Sequence, residues 1–410
     1  MQGAAYKFFT YAFLPSQETT TLFDAAGNNG VATTKISQYK TFENQTINLP
    51  AAEFTTSSTG LTQAVGYTYP FELANTPVGA TNSVARAVAA MTGLYMLNSP
   101  VQVINSLNGR ITGATVQTYT FPGASTTMVK PYQTWQLELS GSIADNQYSR
   151  AAFAGSGSTA LLNLDSNLRL KRTCTGYDSR GNLLGLQTEG AFSTAYIWDY
   201  AKSLPVAIAQ NAAPNQVAYA GFEADVNGQF VGNSYVTFNP NNWDYDPRLG
   251  LTTHLQTGRG FTGRGYYRLD GGWGVGRGNL PAGDYEVSFW AKGGLANVYV
   301  FVDQELSRYE GPANANDQDY RFVRFRVHVN QGNSVNIDAY GRQVDIDDVR
   351  LCPVAAQMTS YTHDPLVGAT STSDPANRPT FFEYDGLQRL KLARDAEGNI
   401  TKHLDYHYQQ

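Results

Sequence analysis

The chain has 410 residues, a formal net charge of −5 and only 15% charged residues. That balance excludes the dense basic surface that holds nucleic acid or anionic lipid, and no apolar run of about 18 residues is present to make a membrane-crossing helix. Two cysteines, Cys174 and Cys352, are too few for a disulfide framework or a thiolate zinc site, and we read them as separate thiols. Plentiful Gly (39), Tyr (26) and Phe (20) with few charges suit an all-β protein of strands and turns that works outside the cell.

Alternation of apolar and polar residues begins at Tyr6–Phe13, a strand stopped by Pro15. Met1-Gln-Gly-Ala-Ala lacks the basic start and apolar middle of a signal peptide. Both ends read as strand, so the expectation is a piece of a longer secreted or bacterial cell-surface chain. Thr19–Phe23 and Val31–Ile36 flank a Gly-Asn turn as a hairpin, and Leu61–Phe71 is a further strand. Asn82–Leu97 is the best helix, capped by Asn82 or Ser83 and rich in alanine. Strands follow at Val101–Ile104, Gly113–Phe121, Met128–Tyr132 and Thr134–Leu139. Residues 140–165, rich in Ser, Ala and Gly, read as a loop. Leu168–Cys174, Leu183–Gln187, Ala195–Tyr200 and Pro205–Ala209 complete this part.

One short unit recurs along the chain: an aromatic residue, an aspartate, two spacers, then Gly-Asn or its equivalent. Phe23-Asp24-Ala-Ala-Gly27-Asn28 and Tyr177-Asp178-Ser-Arg180-Gly181-Asn182 are two copies, and Tyr384-Asp385 to Arg394-Asp395-Ala-Glu-Gly398-Asn399 is a tandem pair. The ring covers a sheet face, aspartate caps the turn, and Gly and Asn tolerate positive φ. With Tyr196-Ile-Trp198-Asp199-Tyr200 and Tyr361-Thr-His-Asp364-Pro365-Leu366, these motifs resemble the YD-repeat (RHS-type) family of secreted and surface proteins built from antiparallel β-hairpin repeats. The resemblance is strong over 170–213 and 354–410 and faint over 1–170.

Composition shifts near residue 214. Leu280-Pro-Ala-Gly283-Asp284-Tyr285-Glu-Val-Ser-Phe-Trp290 is a turn leading into an alternating strand. Val298–Val302, Tyr320–Val329, Ser334–Tyr340 and Val344–Leu351 follow, a spacing that suggests a jelly-roll β-sandwich. Gly-Phe222-Glu223, Ala-Gly-Asp-Tyr-Glu-Val-Ser-Phe-Trp-Ala-Lys-Gly and Ile-Asp347-Asp348-Val resemble galactose-binding-like modules, including carbohydrate-binding modules. The expected organisation is therefore a YD/RHS-type β-repeat region over 1–213, an inserted jelly roll over 214–353, and resumed repeats over 354–410.

The histidines His254, His328, His363, His403 and His407 form no catalytic pattern, and no nucleophile elbow or nucleotide-binding loop is present. We expect no catalytic residues. Sugar recognition needs aromatic platforms and polar groups for hydroxyls; the candidates, in or beside expected loops, are Trp243, Tyr245, Tyr266, Tyr267, Trp273, Arg277 and Tyr309, with Trp290 placed in the core. Along one strand Asp345 and Asp347 would share a face and Asp348 the other. The sandwich resemblance implies a structural calcium held by Glu223 and Asp348, with Asp347 as the second choice of ligand. The resulting expectation is a non-catalytic scaffold with a module that binds a glycan or cell-surface polysaccharide. Its alternatives are part of an RHS-type shell carrying a toxin, or the accessory part of a glycoside hydrolase.

Overall fold

The computed structural model describes residues 14–28, 30–73, 79–223, 242–245 (the side chain of Tyr245 excepted), 254–258, 260–271, 274–302, 305–311, 319–341 and 343–407. The strand expected over Tyr6–Phe13 and the residue Trp273 lie outside them. The protein is predominantly β, with large antiparallel sheets, and divides into two compact units, Met1–Cys174 and Thr175–Gln410. This break falls inside the stretch expected to be one repeat region, because residues beyond 175 pair with the C-terminal hairpins.

In the first unit β1 (Gln17–Leu22), β2 (Val31–Phe42), β3 (Gln45–Thr56), β4 (Thr62–Thr68), β5 (Gln102–Leu107), β6 (Arg110–Thr120) and β7 (Lys130–Leu137) pair antiparallel in chain order. β3 was not expected from sequence. Its hairpin turns on Glu43 and Asn44, both at positive φ (49° and 64°), where no glycine marks the reversal. Residues 140–165 are not a plain loop either. β8 (Ile143–Ala144) pairs with the start of β6, and β9 (Ala152–Ala154) with β10 (Leu161–Asn163) forms a small hairpin. β11 (Leu168–Tyr177) pairs with β7 over Leu168–Thr173. The helix α1 (Ser83–Gly93) starts where Asn82 accepts the Ala85 amide at 3.0 Å, and it buries Ala85, Val88 and Met91 in a core with Val116 and Phe153.

The second unit opens with β12 (Leu183–Thr188), β13 (Thr194–Asp199) and β14 (Leu204–Gln210). The sandwich follows: β15 (Ala218–Ala220), β16 (Asp244–Tyr245), β17 (Leu255–Thr257), β18 (Gly265–Leu269), β19 (Val275–Arg277), β20 (Gly283–Gly293), β21 (Val298–Val302), β22 (Glu305–Arg308), β23 (Arg321–Val329), β24 (Val335–Ala339) and β25 (Val344–Pro353). Then β26 (Gln357–Asp364) pairs with β14, so the sandwich is an insert between two neighbouring strands of one ribbon. The ribbon continues through β27 (Gly368–Ser373), β28 (Pro379–Tyr384), β29 (Leu390–Arg394) and β30 (Ile400–His403).

Within the insert one sheet runs β17-β18-β25-β20-β23, with β15 also on β25, and the other runs β16-β19-β24-β21-β22. Tyr285, Val287, Phe289 and Ala291 of β20 point inward, and Val298 and Val300 of β21 and Val335 and Ile337 of β24 do the same, all fully buried in one core. Period-two alternation places these side chains, and their burial is what holds the two sheets face to face.

The recurrent aspartates build one turn. Asp24, Asp178, Asp374, Asp385 and Asp395 each give their amide to the carbonyl of the residue four ahead and accept the amide three ahead on their own carbonyl. In the same turns Oδ1 accepts the amide four ahead at 2.8–3.0 Å. The fourth residue is at positive φ: Gly27, Gly181, Asn377, Gln388 and Gly398. The fifth residue returns a side chain to Oδ2 in four of them, from Asn182, Arg378, Arg389 and Asn399. The copy at Asp374 is hidden in the sequence because Asn-Arg stands in place of Gly-Asn. Asp199 departs from the pattern: Tyr200, Ala201 and Lys202 are all at positive φ, making a different turn.

The Arg389 side chain holds the Asp385 carboxyl below the usual carboxylate range, and the Asn399 side chain does so for Asp395. For Asp178 and Asp374 burial pulls the other way and is outweighed by the amides and side chains of Asn182 and Arg378. A lowered folded-state pKa gives stability that is present above the unfolded value, near 4, and is lost as pH falls through the lower folded values. Acid titration of thermal stability should therefore show a fall below about pH 4 that is shallower in an Asp178→Asn/Asp374→Asn variant. An unchanged pH profile would show that these carboxylates do not hold the turns. Asp178→Ala should cost about 1–2 kcal/mol at neutral pH by urea denaturation, for two amides stripped of their acceptor.

Candidate functional site

β25 reads Val-Asp-Ile-Asp-Asp-Val-Arg-Leu, yet all eight residues are buried. Its inner face (Val344, Ile346, Val349, Leu351) lies in the sandwich core. Its outer face is covered in part by the ribbon. Between the pairs Ser288↔Arg350 and Trp290↔Asp347 the register shifts, and Asp348 sits in the bulge at φ 51°. The extra residue breaks the expected alternation. Asp348 does not take the face opposite Asp347 but reaches the ribbon, where its Oδ1 accepts a hydrogen bond from Ser360 at 3.0 Å.

Arg350, 3% exposed, is the centre of this contact. Its guanidinium donates to the carbonyls of Asp374 (2.7 Å), Met358 (3.3 Å) and Ser373 (3.3 Å) and to the Ser360 hydroxyl, and it lies 3.5 Å from Asp348. Beside it Trp290 stacks on Phe261, with ring centroids 3.8 Å apart, and donates its indole N–H to the Asn377 carbonyl. Phe261 also meets Phe381 of β28 edge-on at 6.3 Å. Trp290 is thus not in the sandwich core; it closes the seam between insert and ribbon. The insert is fixed on the ribbon at this seam rather than tethered.

The candidate sugar residues separate. Trp243 is fully buried and donates its indole N–H to the Val349 carbonyl at 3.1 Å. Tyr267 is stacked between Phe222 and His254, and Arg277, 1% exposed, donates to the carbonyls of Gly278 and Asn215. These three serve the core: Tyr267 and Arg277 are buried positions of β18 and β19, and Trp243, just before β16, reaches a core carbonyl. Tyr309 packs against the same core. Tyr266 is half-buried on the outer face of β18, with the Lys292 ammonium 5.2 Å and the Arg268 guanidinium 5.8 Å from its ring centre. The side chain of Tyr245 lies outside the described residues. Among the described residues the candidate set is not brought together.

The expected calcium ligands face N–H donors. Glu223 Oε1 accepts the amides of Arg264 and Gly265, and burial pushes its pKa up. Asp347 Oδ2 accepts the amides of Phe261 and Thr262, and Oδ1 that of Asp348. Burial, with Asp348 beside it, raises the Asp347 pKa well above the ordinary carboxylate value. Asp348 turns to Ser360 and Arg350. A cation site needs oxygens converging on a common empty space; Glu223 and Asp347 meet amides, Asp348 faces Ser360 and Arg350, and among the described residues no group of three or more metal-ligating side chains assembles. The residues as arranged do not fit calcium.

A different surface has the character of a binding face. On the outer side of the second sheet two rows of side chains lie directly across neighbouring strands. One is Arg308, Tyr299 and Asp338; the other is Leu306, Phe301, Asn336 and Gly276. Tyr299 and Phe301 are half-exposed, with centroids 6.1 Å apart. Tyr340, 64% exposed, stands perpendicular to Tyr299 at 6.0 Å. Gly276 adds no side chain beside Asn336, so the second row drops to backbone at that end. A Cβ there would come within 2.5 Å of Asn336 Oδ1. The surface offers aromatic rings flanked by an amide, a carboxylate and a guanidinium. The expected platforms lay in loops, whereas this face is built on strands: alternation along Val298–Val302 already turns Tyr299 and Phe301 outward.

No protein-family model matches the chain, and no curated protein does. Some solved structures resemble it weakly. The CBM22-1 xylan-binding domain from Paenibacillus barcinonensis is 10% identical, covering 27% of this chain and 85% of that one, at a TM-score of 0.21. An exo-β-1,3-galactanase from Phanerochaete chrysosporium with galactose is 14% identical, over 82% and 68%, also at 0.21. TcdB2-TccC3 is 8% identical, over 96% and 20%, again at 0.21. Likeness at this level assigns neither an activity nor a ligand to the chain.

Arg350→Met would leave the buried Asp348 carboxylate uncompensated and several carbonyls without donors. It should destabilise the second unit by about 3–5 kcal/mol, measured by thermal or urea unfolding. A loss below about 1 kcal/mol, the size of a surface pair, would show that the seam does not hold the insert.

Proposed function

We propose that the protein is a non-catalytic, extracellular scaffold in which a ribbon of β-hairpins holds a glycan-binding sandwich in fixed orientation. The observation that carries this reading is the outer face of the second sheet, where Tyr299, Phe301 and Tyr340 cluster beside Asn336, Asp338 and Arg308. Pyranose rings present C–H faces that pack on aromatic rings, and their hydroxyls pair with amide and charged side chains. A flat sheet with side chains at fixed cross-strand spacing suits an extended polymer better than a closed pocket suits it. The opposite face of the sandwich is occupied in part by the ribbon, whereas Tyr340 is exposed and Tyr299 and Phe301 are half-exposed on this one.

Binding of the full chain to a broad panel of immobilised polysaccharides tests the reading. Tyr299→Ala and Tyr340→Ala should each weaken binding by about tenfold or more, in line with about 1–3 kcal/mol for a buried aromatic contact. Trp243→Phe, which alters only the core, should leave affinity within about threefold wherever the protein remains folded, as expected of a residue outside the contact. Full retention of binding in the tyrosine variants would move the site elsewhere.

A further inference from the structure

Arg308 stands at the end of the row Arg308–Tyr299–Asp338, its guanidinium carbon 5.4 Å from the centre of the Tyr299 ring. It is exposed, and it makes no ion pair with any described carboxylate. Three other arginines of the sandwich are paired with carboxylates. Arg268 is clamped by Asp345, and Arg324 and Arg326 share Glu286. In the same row Asp338 lies on the far side of Tyr299 and gives Oδ1 to the Ala339 amide at 2.7 Å. Lying on the ring restricts the guanidinium, so less freedom is lost when its N–H fork meets a ligand.

From this we infer that the glycan carries anionic oxygens, a carboxylate or a sulfate, and that Arg308 selects it. The inference rests on the binding face described above. A sugar ring packed on Tyr299 or Tyr340 brings its substituent beside Arg308. There the planar fork donates two N–H bonds to a pair of carboxylate or sulfate oxygens together, a geometry that a neutral hydroxyl cannot match. The ligand class is thus an acidic polysaccharide, bound by aromatic packing for affinity and by the guanidinium for choice.

The test uses the full chain and two matched pairs of polymers: polygalacturonate against its carboxyl-reduced neutral counterpart, and dextran sulfate against dextran. Wild type should bind the acidic member of at least one pair about tenfold more tightly at low salt, and the preference should shrink as salt rises. The pair that responds distinguishes carboxylate from sulfate. Arg308→Ala should erase the preference while keeping the weaker binding to the neutral member, and Arg308→Lys should restore only part of it. Equal binding within both pairs, or a preference that survives in Arg308→Ala, overturns the acidic-ligand inference and leaves the aromatic face standing. No binding to any of the four polymers, or binding untouched by Tyr299→Ala and Tyr340→Ala, removes the binding face itself and this inference with it.

Discussion

A buried guanidinium organises the second unit. Arg350 is out of water, and its charge is tolerated only because the ribbon supplies three carbonyls and a hydroxyl and the bulge supplies Asp348. These carbonyl and hydroxyl partners lie outside the insert, 8 to 24 residues further along the chain: the guanidinium belongs to the last strand of the insert and its acceptors to β26, β27 and the Asp374 turn. Removing either side leaves the other desolvated and unpaired. The same demand accounts for the burial of Arg350 against the ribbon and for an aspartate held in a left-handed conformation at 348.

Fixing the insert decides which surface it shows. A sandwich has two outer faces. One carries Arg350, Trp290 and the Asp345 pairings, and the ribbon and the 260–262 segment take up much of it. The other carries Tyr299, Phe301 and Tyr340. The ribbon itself rests on repetition of one local solution, an aspartate that caps its own turn and receives a side chain in return. That solution recurs with Gly-Asn, Asn-Arg and Gln-Arg because only the positive φ and a side chain able to donate to Oδ2 are required.

Much of this is written locally and can be read locally. Alternation fixed Val298–Val302 to the residue, Asn82 announced α1, and the Asp turns followed from their spacing. What stays hidden in the sequence depends on register and on partners far along the chain. Asp348 leaves the alternation because of one extra residue opposite Phe289. Trp243, Tyr267 and Arg277 are not surface platforms: Tyr267 is the buried centre of β18, and Trp243 and Arg277, at or beside strand ends, turn inward to core carbonyls. Glu223 and Asp347 looked like ligands for a cation, whereas the backbone amides of 261–265 already meet their oxygens. The aromatic face is present in the alternation of β21, but its significance appears only when Tyr340, just past β24, and Arg308, on β22, are brought beside it.

If the outer face of the second sheet is where a ligand sits, a crystal structure of the protein soaked with an oligosaccharide from whichever polymer it retains will show it. Sugar density is expected across Tyr299, Phe301 and Tyr340, with a ring within van der Waals contact of at least one of them. Ordered sugar lodged against Tyr266 and Lys292, or anywhere away from that face, would refute the assignment.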